Sequence, residues 1–299
     1  VILFAAGACG GEGAPPPPVP ARPAAVELVG LCDASAAVSV GPWLVVADDE
    51  HDVLRVYDAA LAPAGTVDLG ALDPGFAGEG EADLEGMTTA PDGTVWVVGS
   101  HDPGKRTAPD PRRRVLFGLR LAPGPDGLAA SLAGPVDRSG AFLAPVEAGT
   151  EGRTAKDPHG LSVEGLSFRD GALVVGFRAP VRDGRAPLVR LSPGGPELSW
   201  LDLGGRGIRS LEEDLVLAGG DAGFALFRLG PDGVPRREPA DFGDLTPEAL
   251  VRRADGWWVI SDDGRREVDG TECRDLPEAR RRARIAPLAA LQAAEPSAN

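Results

Sequence analysis

The sequence predicts an all-β fold, a β-propeller of five blades. Three observations carry this: a two-part phrase that recurs five times, turn chemistry between its two parts, and no helical periodicity in between. The first part is a charged residue followed by small and apolar ones: Asp33-Ala34, Glu85-Gly86-Met87, Glu164-Gly165-Leu166, Arg209-Ser210-Leu211 and Glu248-Ala249-Leu250. The second is an aliphatic run that stops abruptly at Ala47-Asp48-Asp49, Gly99-Ser100-His101, Gly176-Phe177-Arg178, Ala218-Gly219-Gly220 and Ser261-Asp262-Asp263. Such self-similarity marks one supersecondary unit copied about an axis.

Each copy opens with a hairpin. Gly41-Pro42, Pro91-Asp92-Gly93, Asp170-Gly171, Glu213-Asp214 and Asp255-Gly256 fall between the two parts, and Asp and Gly tolerate the positive φ of a tight primed turn. A third apolar run follows in four copies, at 54–57, 115–119, 188–191 and 224–229, and a weaker fourth at 66–69 and 198–203. Short strands of this spacing fit four-stranded blades. Most spacings between copies lie near the roughly 40 to 50 residues of a blade. The longer step from Glu85 to Glu164 holds a Pro-, Gly- and Asp-punctuated stretch at 122–160, which reads as an insertion; a degenerate sixth blade is the alternative.

Of three cysteines, Cys32 lies before the first blade's inner strand and Cys273 in the last blade, so ring closure makes them neighbours and a disulfide is expected. Residues 1–9 look like the end of a secretory apolar segment, and Ala6-Gly7-Ala8-Cys9 resembles a lipobox that would place a lipid anchor on Cys9. A Gly/Pro-rich linker at 10–25, with its run Pro15–Pro20, is a stiff spacer. The propeller is expected over 26–290 and a C-terminal tail over 291–299. The order anchor, spacer, body points to an exported periplasmic or cell-surface lipoprotein, a monomer that meets the membrane only through that anchor.

Composition excludes some partners. A formal charge of −15 argues against nucleic acid, whose phosphates would be repelled. No stretch reaches the roughly 18 apolar residues of a membrane span. The clusters Arg112-Arg113-Arg114 and Arg280-Arg281-Arg282 read as solvated faces. Of the adjacent Trp257 and Trp258, one should face the neighbouring blade and the other the opposite side.

Blade geometry concentrates charge. Inner strands start, and second strands end, on one face of the disc. One mouth of the channel should therefore hold Asp33, Asp48, Asp49, Glu85, His101, Glu164, Arg178, Arg209, Glu248, Asp262 and Asp263. So many carboxylates need compensation: a bound Ca²⁺ or Mg²⁺, salt bridging by Arg178 and Arg209, or hydrogen bonds to the adjacent blade. The repeated position of Glu85, Glu164 and Glu248 suits blade-to-blade pinning, with metal ligation as the alternative. Asp33, Asp48, Asp49, Arg178, Arg209, Asp262 and Asp263 are the candidate ligand-binding set. His101 is the candidate general acid or base, its pKa raised by the mouth carboxylates.

The pieces Gly30-Leu31-Cys32-Asp33-Ala34-Ser35, Glu81-Ala82-Asp83-Leu84-Glu85-Gly86, Val98-Gly99-Ser100-His101, Val163-Glu164-Gly165-Leu166, Gly176-Phe177-Arg178, the run from Asp202 to Arg209 and Ser261-Asp262-Asp263-Gly264 together resemble the bacterial family known as domain of unknown function 3616, over about 28–288. That resemblance implies the extent of the domain and no activity. The Glu-Gly-Leu and Ser-Asp-Asp-Gly phrases are also similar to esterase-like phytase propellers. Two functions follow as expectations: binding of a small ligand, a metal or a protein partner at the acidic mouth, or metal-dependent phosphoester hydrolysis with Arg178 and Arg209 gripping phosphate and His101 moving a proton.

Overall fold

The computed structural model describes residues 24–48, 50–77, 81–103, 110–124, 127–150, 153, 157, 159–288 and 291. Asp49, Cys9, the secretory-like segment and most of the linker and tail lie outside them. Five four-stranded antiparallel sheets form the blades, and each inner strand packs on the next, the last on the first. The inner strands are Ala34–Val40, Leu84–Thr89, Ser162–Arg169, Gly207–Glu212 and Pro247–Arg253. The expected five blades are therefore present.

The hairpins form where the turn residues placed them. Asp170 and Gly171 both take positive φ, 49° and 78°. The stretch after Glu85 is an insertion together with a hidden strand: Leu116–Gly124 pairs with Gly127–Leu132 to finish the second blade. Ala141–Leu143 and Ala144–Glu147 then make short helical turns that send Phe142, Leu143 and Val146 into the seam with the third blade.

The last blade closes the ring. Its inner strand and Gly256–Ser261 pair in sequence order, but the third strand is Arg282–Pro287 and the outermost is Val26–Val29, contributed by the other end of the chain. Cys32 and Cys273 form the expected disulfide beside this seam, Cα atoms 5.8 Å apart and 241 residues apart in sequence.

Apolar burial is divided among the five seams. The first and second blades share Val38, Leu54, Val97 and Phe117; the fourth and fifth share Leu215, Leu226, Leu250 and Trp257. Each such side chain contributes about 1.5–3 kcal/mol through burial. Trp257 faces the fourth-blade side, while Trp258 packs against the seam with the first blade, as the alternation of a strand requires.

The small residue of the repeated phrase is explained at these seams. A Cβ on Gly86 would lie 2.8 Å from Leu166 Cβ and 2.9 Å from its backbone nitrogen; one on Gly165 would lie 2.9 Å from Leu211 Cγ. In the next copy Ser210 Oγ accepts a hydrogen bond from Leu250 N at 3.0 Å. Charged, small, apolar thus encodes a joint: the small residue of one blade receives the apolar residue of the next.

Candidate functional site

The charged residue of the phrase is a β-bulge. Pairing skips Glu85 between Leu84 and Gly86, Glu164 between Val163 and Gly165, Arg209 between Ile208 and Ser210, and Glu248 between Pro247 and Ala249. A bulge inserts an unpaired residue and re-aims its side chain, and here it repeats at the start of four inner strands. The first blade has its bulge between Ala34 and Ala37, and its register aligns Ala36 with the charged position. Asp33 therefore stands three residues before the repeat position, so the phrase placed there by sequence is out of register.

The bulged side chains meet. Arg209 Nη1 donates to Glu164 Oε2 at 3.1 Å and to both Glu248 oxygens at 2.9 and 3.2 Å. Arg178 Nη1 lies 2.8 Å from Glu164 Oε1, which also accepts from Ser162 Oγ at 3.1 Å. Glu164 is 2 % exposed. Burial pushes the Glu248 carboxyl up while Arg209 pulls it down, and Glu164 and Asp262 add to the rise. Arg209 feels Glu85 as well as Glu164 and Glu248, and its guanidinium is held charged more firmly than usual. Among the three forms of compensation expected, salt bridging is the one the geometry displays. A guanidinium sits between Glu164 and Glu248 where a cation would have to lie. Among the described residues no group of three His, Cys, Asp or Glu is placed to hold a metal ion. Glu85, Glu164 and Glu248, the metal set suggested by the sequence, are not such a group among the described residues.

A second group occupies the side of the mouth between the last and first blades. Asp33 Oδ1 pairs with Arg274 Nη2 at 2.8 Å, and Arg274 Nη1 reaches Glu50 Oε1 at 3.4 Å. The Asp33 carboxyl is pushed up to about 7, chiefly by burial and then by Asp262, Glu50 and Asp48, which outweigh Arg274. Asp262 is also raised, by burial first and Asp263 among its neighbours, although its Oδ1 accepts from Gly264 N at 2.9 Å. A Cβ on Gly264 would stand 1.8 Å from Asp33 Oδ1 and 2.4 Å from Arg274 Nη2, so any larger residue there would displace this ion pair. Asp48 bonds Arg55 Nε and His51 Nδ1, each at 3.0 Å, and Arg55 also pairs with Glu278. Asp263 is held by the Arg284 fork, 2.8 Å to each oxygen, and by Ser261 Oγ at 2.9 Å. Those two aspartates are structural anchors.

His101 is placed differently from the expectation. Its ring is 2 % exposed, meets Phe142 edge-on at 5.0 Å between centroids, and has Nε2 3.2 Å from Val115 O. Burial, assisted by Arg114, lowers its pKa to about 3, the opposite of the rise expected from mouth carboxylates. It is a neutral packing residue in the seam of the second and third blades. With His101 inside and Arg178 and Arg209 committed to carboxylates, the phosphoester-hydrolase reading is not favoured.

The arginine run 112–114 is not a solvated face. Arg112 bonds Asp52 and Phe76 O, Arg113 bonds Glu81, Asp83 and Asp102, and Arg114 bonds Glu147, with all three guanidinium side chains no more than 17 % exposed. They tie the rim loops of the first two blades to each other and to the insertion that follows the second. Arg280 alone of the second run is exposed, with Asp269 3.0 Å away, while Arg281 and Arg282 bond backbone carbonyls. Glu50, Arg274 and Glu278 escaped the sequence reading because they sit on connections outside the repeated phrase, and Arg55 because it lies inside the strand Val53–Tyr57, which reads as an apolar run. One signal was available: once Cys32 and Cys273 are paired, the adjacent Asp33 and Arg274 must be neighbours.

The fold and site define a five-bladed β-propeller with a charge-lined channel mouth. The model of a family described as Protein of unknown function (DUF3616) matches residues 33–117, the first blade and the first two strands of the second, so the resemblance drawn from motifs is shown over that stretch. No curated protein matches. Among solved structures, the glutaminyl cyclase of Myxococcus xanthus is similar at 10 % identity and TM-score 0.47, over 88 % of this chain and 94 % of that one. The PQQ-bound aldose sugar dehydrogenase of Streptomyces coelicolor is similar at 14 % identity and TM-score 0.44, over 89 % and 99 %.

Proposed function

We propose that the chain is an exported binding propeller whose mouth takes a cationic group, carried by a small molecule or by a partner protein. One observation carries the reading. On the side of the last and first blades, burial first and then Asp262 and Glu50, against Arg274, push the Asp33 carboxyl up to about 7. Under-neutralised carboxylates in a partly dry site gain from a mobile cation, because Coulomb attraction strengthens as the local dielectric falls. In the other half of the mouth Arg178 and Arg209 pair directly with Glu164 and Glu248, so selectivity resides near Asp33. The Cys32–Cys273 disulfide supports an oxidising compartment, and among the described residues no helix is long and apolar enough to cross a membrane.

Calorimetric titration with putrescine, with succinate as the anionic control, tests the reading. Saturable putrescine binding that weakens at least about tenfold in Asp262→Asn, a loss of about 1.4 kcal/mol, is the expected result. Absence of binding by the unmodified protein, or equal binding by the variant, would refute it.

A further inference from the structure

The opposite face of the disc holds a separate cavity of about 510 Å³. It opens where the inner strands finish, between the ends of the third, fourth and fifth blades, and Phe168, Glu213, Asp214, Arg228 and Arg252 are among its walls. Glu164 and Phe168 lie at opposite ends of one strand. At about 3.3 Å per residue, the cavity is therefore more than 10 Å from the Glu164 bulge, and it shares no lining residue with the mouth.

Its charges are unequally matched. Arg228 is consumed by Asp214, at 2.8 and 2.9 Å, and by Glu238 at 2.8 Å. Arg169 pairs with Asp170 at 3.5 Å and donates to Gly230 O at 3.4 Å. Arg252 lies over the Trp257 ring, 5.0 Å from its centroid. Behind this wall stands Glu212, whose Oε2 is buried without a hydrogen-bond partner. Burial and the adjacent Glu213 raise its carboxyl to about 8, and Arg252 offsets only part of that. In the second and third blades the residue aligned with Glu212 joins blade to blade: Thr88 Oγ1 accepts from Phe168 N, and Ser167 Oγ donates to Glu213 O. A hydroxyl suffices for that joint. At that position Glu212 Oε2 stays unmatched, next in sequence to Glu213 in the cavity wall, and an unmatched buried polar oxygen is destabilising.

We propose that this cavity is a second binding site, one for a small organic cation, whose ammonium or guanidinium group reaches Glu212 and Glu213 while its apolar body lies on Phe168. Bound charge supplies the partner that the fold withholds from Glu212, and Phe168 favours a ring or alkyl body over a bare ion. The site is independent of the channel mouth.

Benzylamine is the probe, with benzyl alcohol as its neutral isostere, each titrated calorimetrically into the whole chain at neutral pH. One equivalent of benzylamine should bind and benzyl alcohol should not. Affinity should fall at least tenfold in Glu212→Gln and severalfold in Glu213→Gln, an exposed position whose change spares the fold. Asp262→Asn should leave it unchanged. No binding to the unmodified chain, or equal affinity in both glutamine variants, would overturn the proposal. Loss in Asp262→Asn alone would overturn it too, because the cation would then sit at the mouth.

Discussion

Replacing Arg209 by alanine is expected to lower the unfolding free energy by about 3–5 kcal/mol, the range for removing one partner of a buried ion pair. Arg209 Nη1 is shared between Glu164 and Glu248, and Glu164 is almost inaccessible. Arg178 stays with Glu164, so the greater loss falls on Glu248, already raised by burial. The sign with pH follows. A carboxyl whose folded pKa lies above its unfolded value binds its proton more tightly when folded, so its contribution is fully present below the unfolded value and is lost as pH rises through the folded one. The deficit of Arg209→Ala should be small near pH 4 and full on the alkaline side. Urea denaturation of both proteins across that range measures it; an equal deficit at both ends, or one under about 1 kcal/mol, contradicts the shared-cation account.

Removal of the disulfide by Cys32→Ala with Cys273→Ala is expected to cost about 5–6 kcal/mol, since the bond closes a loop of 241 residues and chain-entropy models scale with the logarithm of loop length. The effect should exceed simple loss of packing. Asp33 and Arg274 adjoin the two cysteines, and Asp263 N donates to Cys32 O at 2.9 Å, so the acidic side of the mouth should loosen together with the seam. Denaturation midpoints with and without reductant check this on the unmodified protein. If the compartment is oxidising, protein taken from its native host carries both cysteines oxidised, and free thiols there would count against export.

Much of the architecture could be read before the structure because each local signal repeats and each repetition has a cause. Asp170-Gly171 turns because both residues accept positive φ, and Gly86 and Gly165 are small because Leu166 and Leu211 arrive against them. The fourth strand of the second blade was hidden, since 127–132 falls in the Pro-, Gly- and Asp-punctuated stretch that reads as an insertion and holds no aliphatic run. The outermost strand of the last blade was hidden for another reason: Val26–Val29 belongs by sequence to the region before the first blade. Side-chain partners were legible only in part. The phrase located Glu164, Arg209 and Glu248 but could not show that one guanidinium would bind two of the carboxylates. It misplaced Asp33 by three residues because Ala36, at the true repeat position, carries no charge. His101 misled because Ser100-His101 ends an aliphatic run like the mouth residues, whereas its own φ of 56° turns the ring into the seam.

The central claim is that the mouth near Asp33 carries more negative charge than its arginines neutralise. Carbon-13 nuclear magnetic resonance titration of the Asp33 carboxyl, with and without putrescine, addresses it most directly. The account predicts a midpoint near 7 in the free protein, set by burial together with Asp262, Glu50 and Asp48 against Arg274, and a clear fall when the diamine binds. A midpoint in the ordinary aspartate range near 4, unmoved by putrescine, would contradict it.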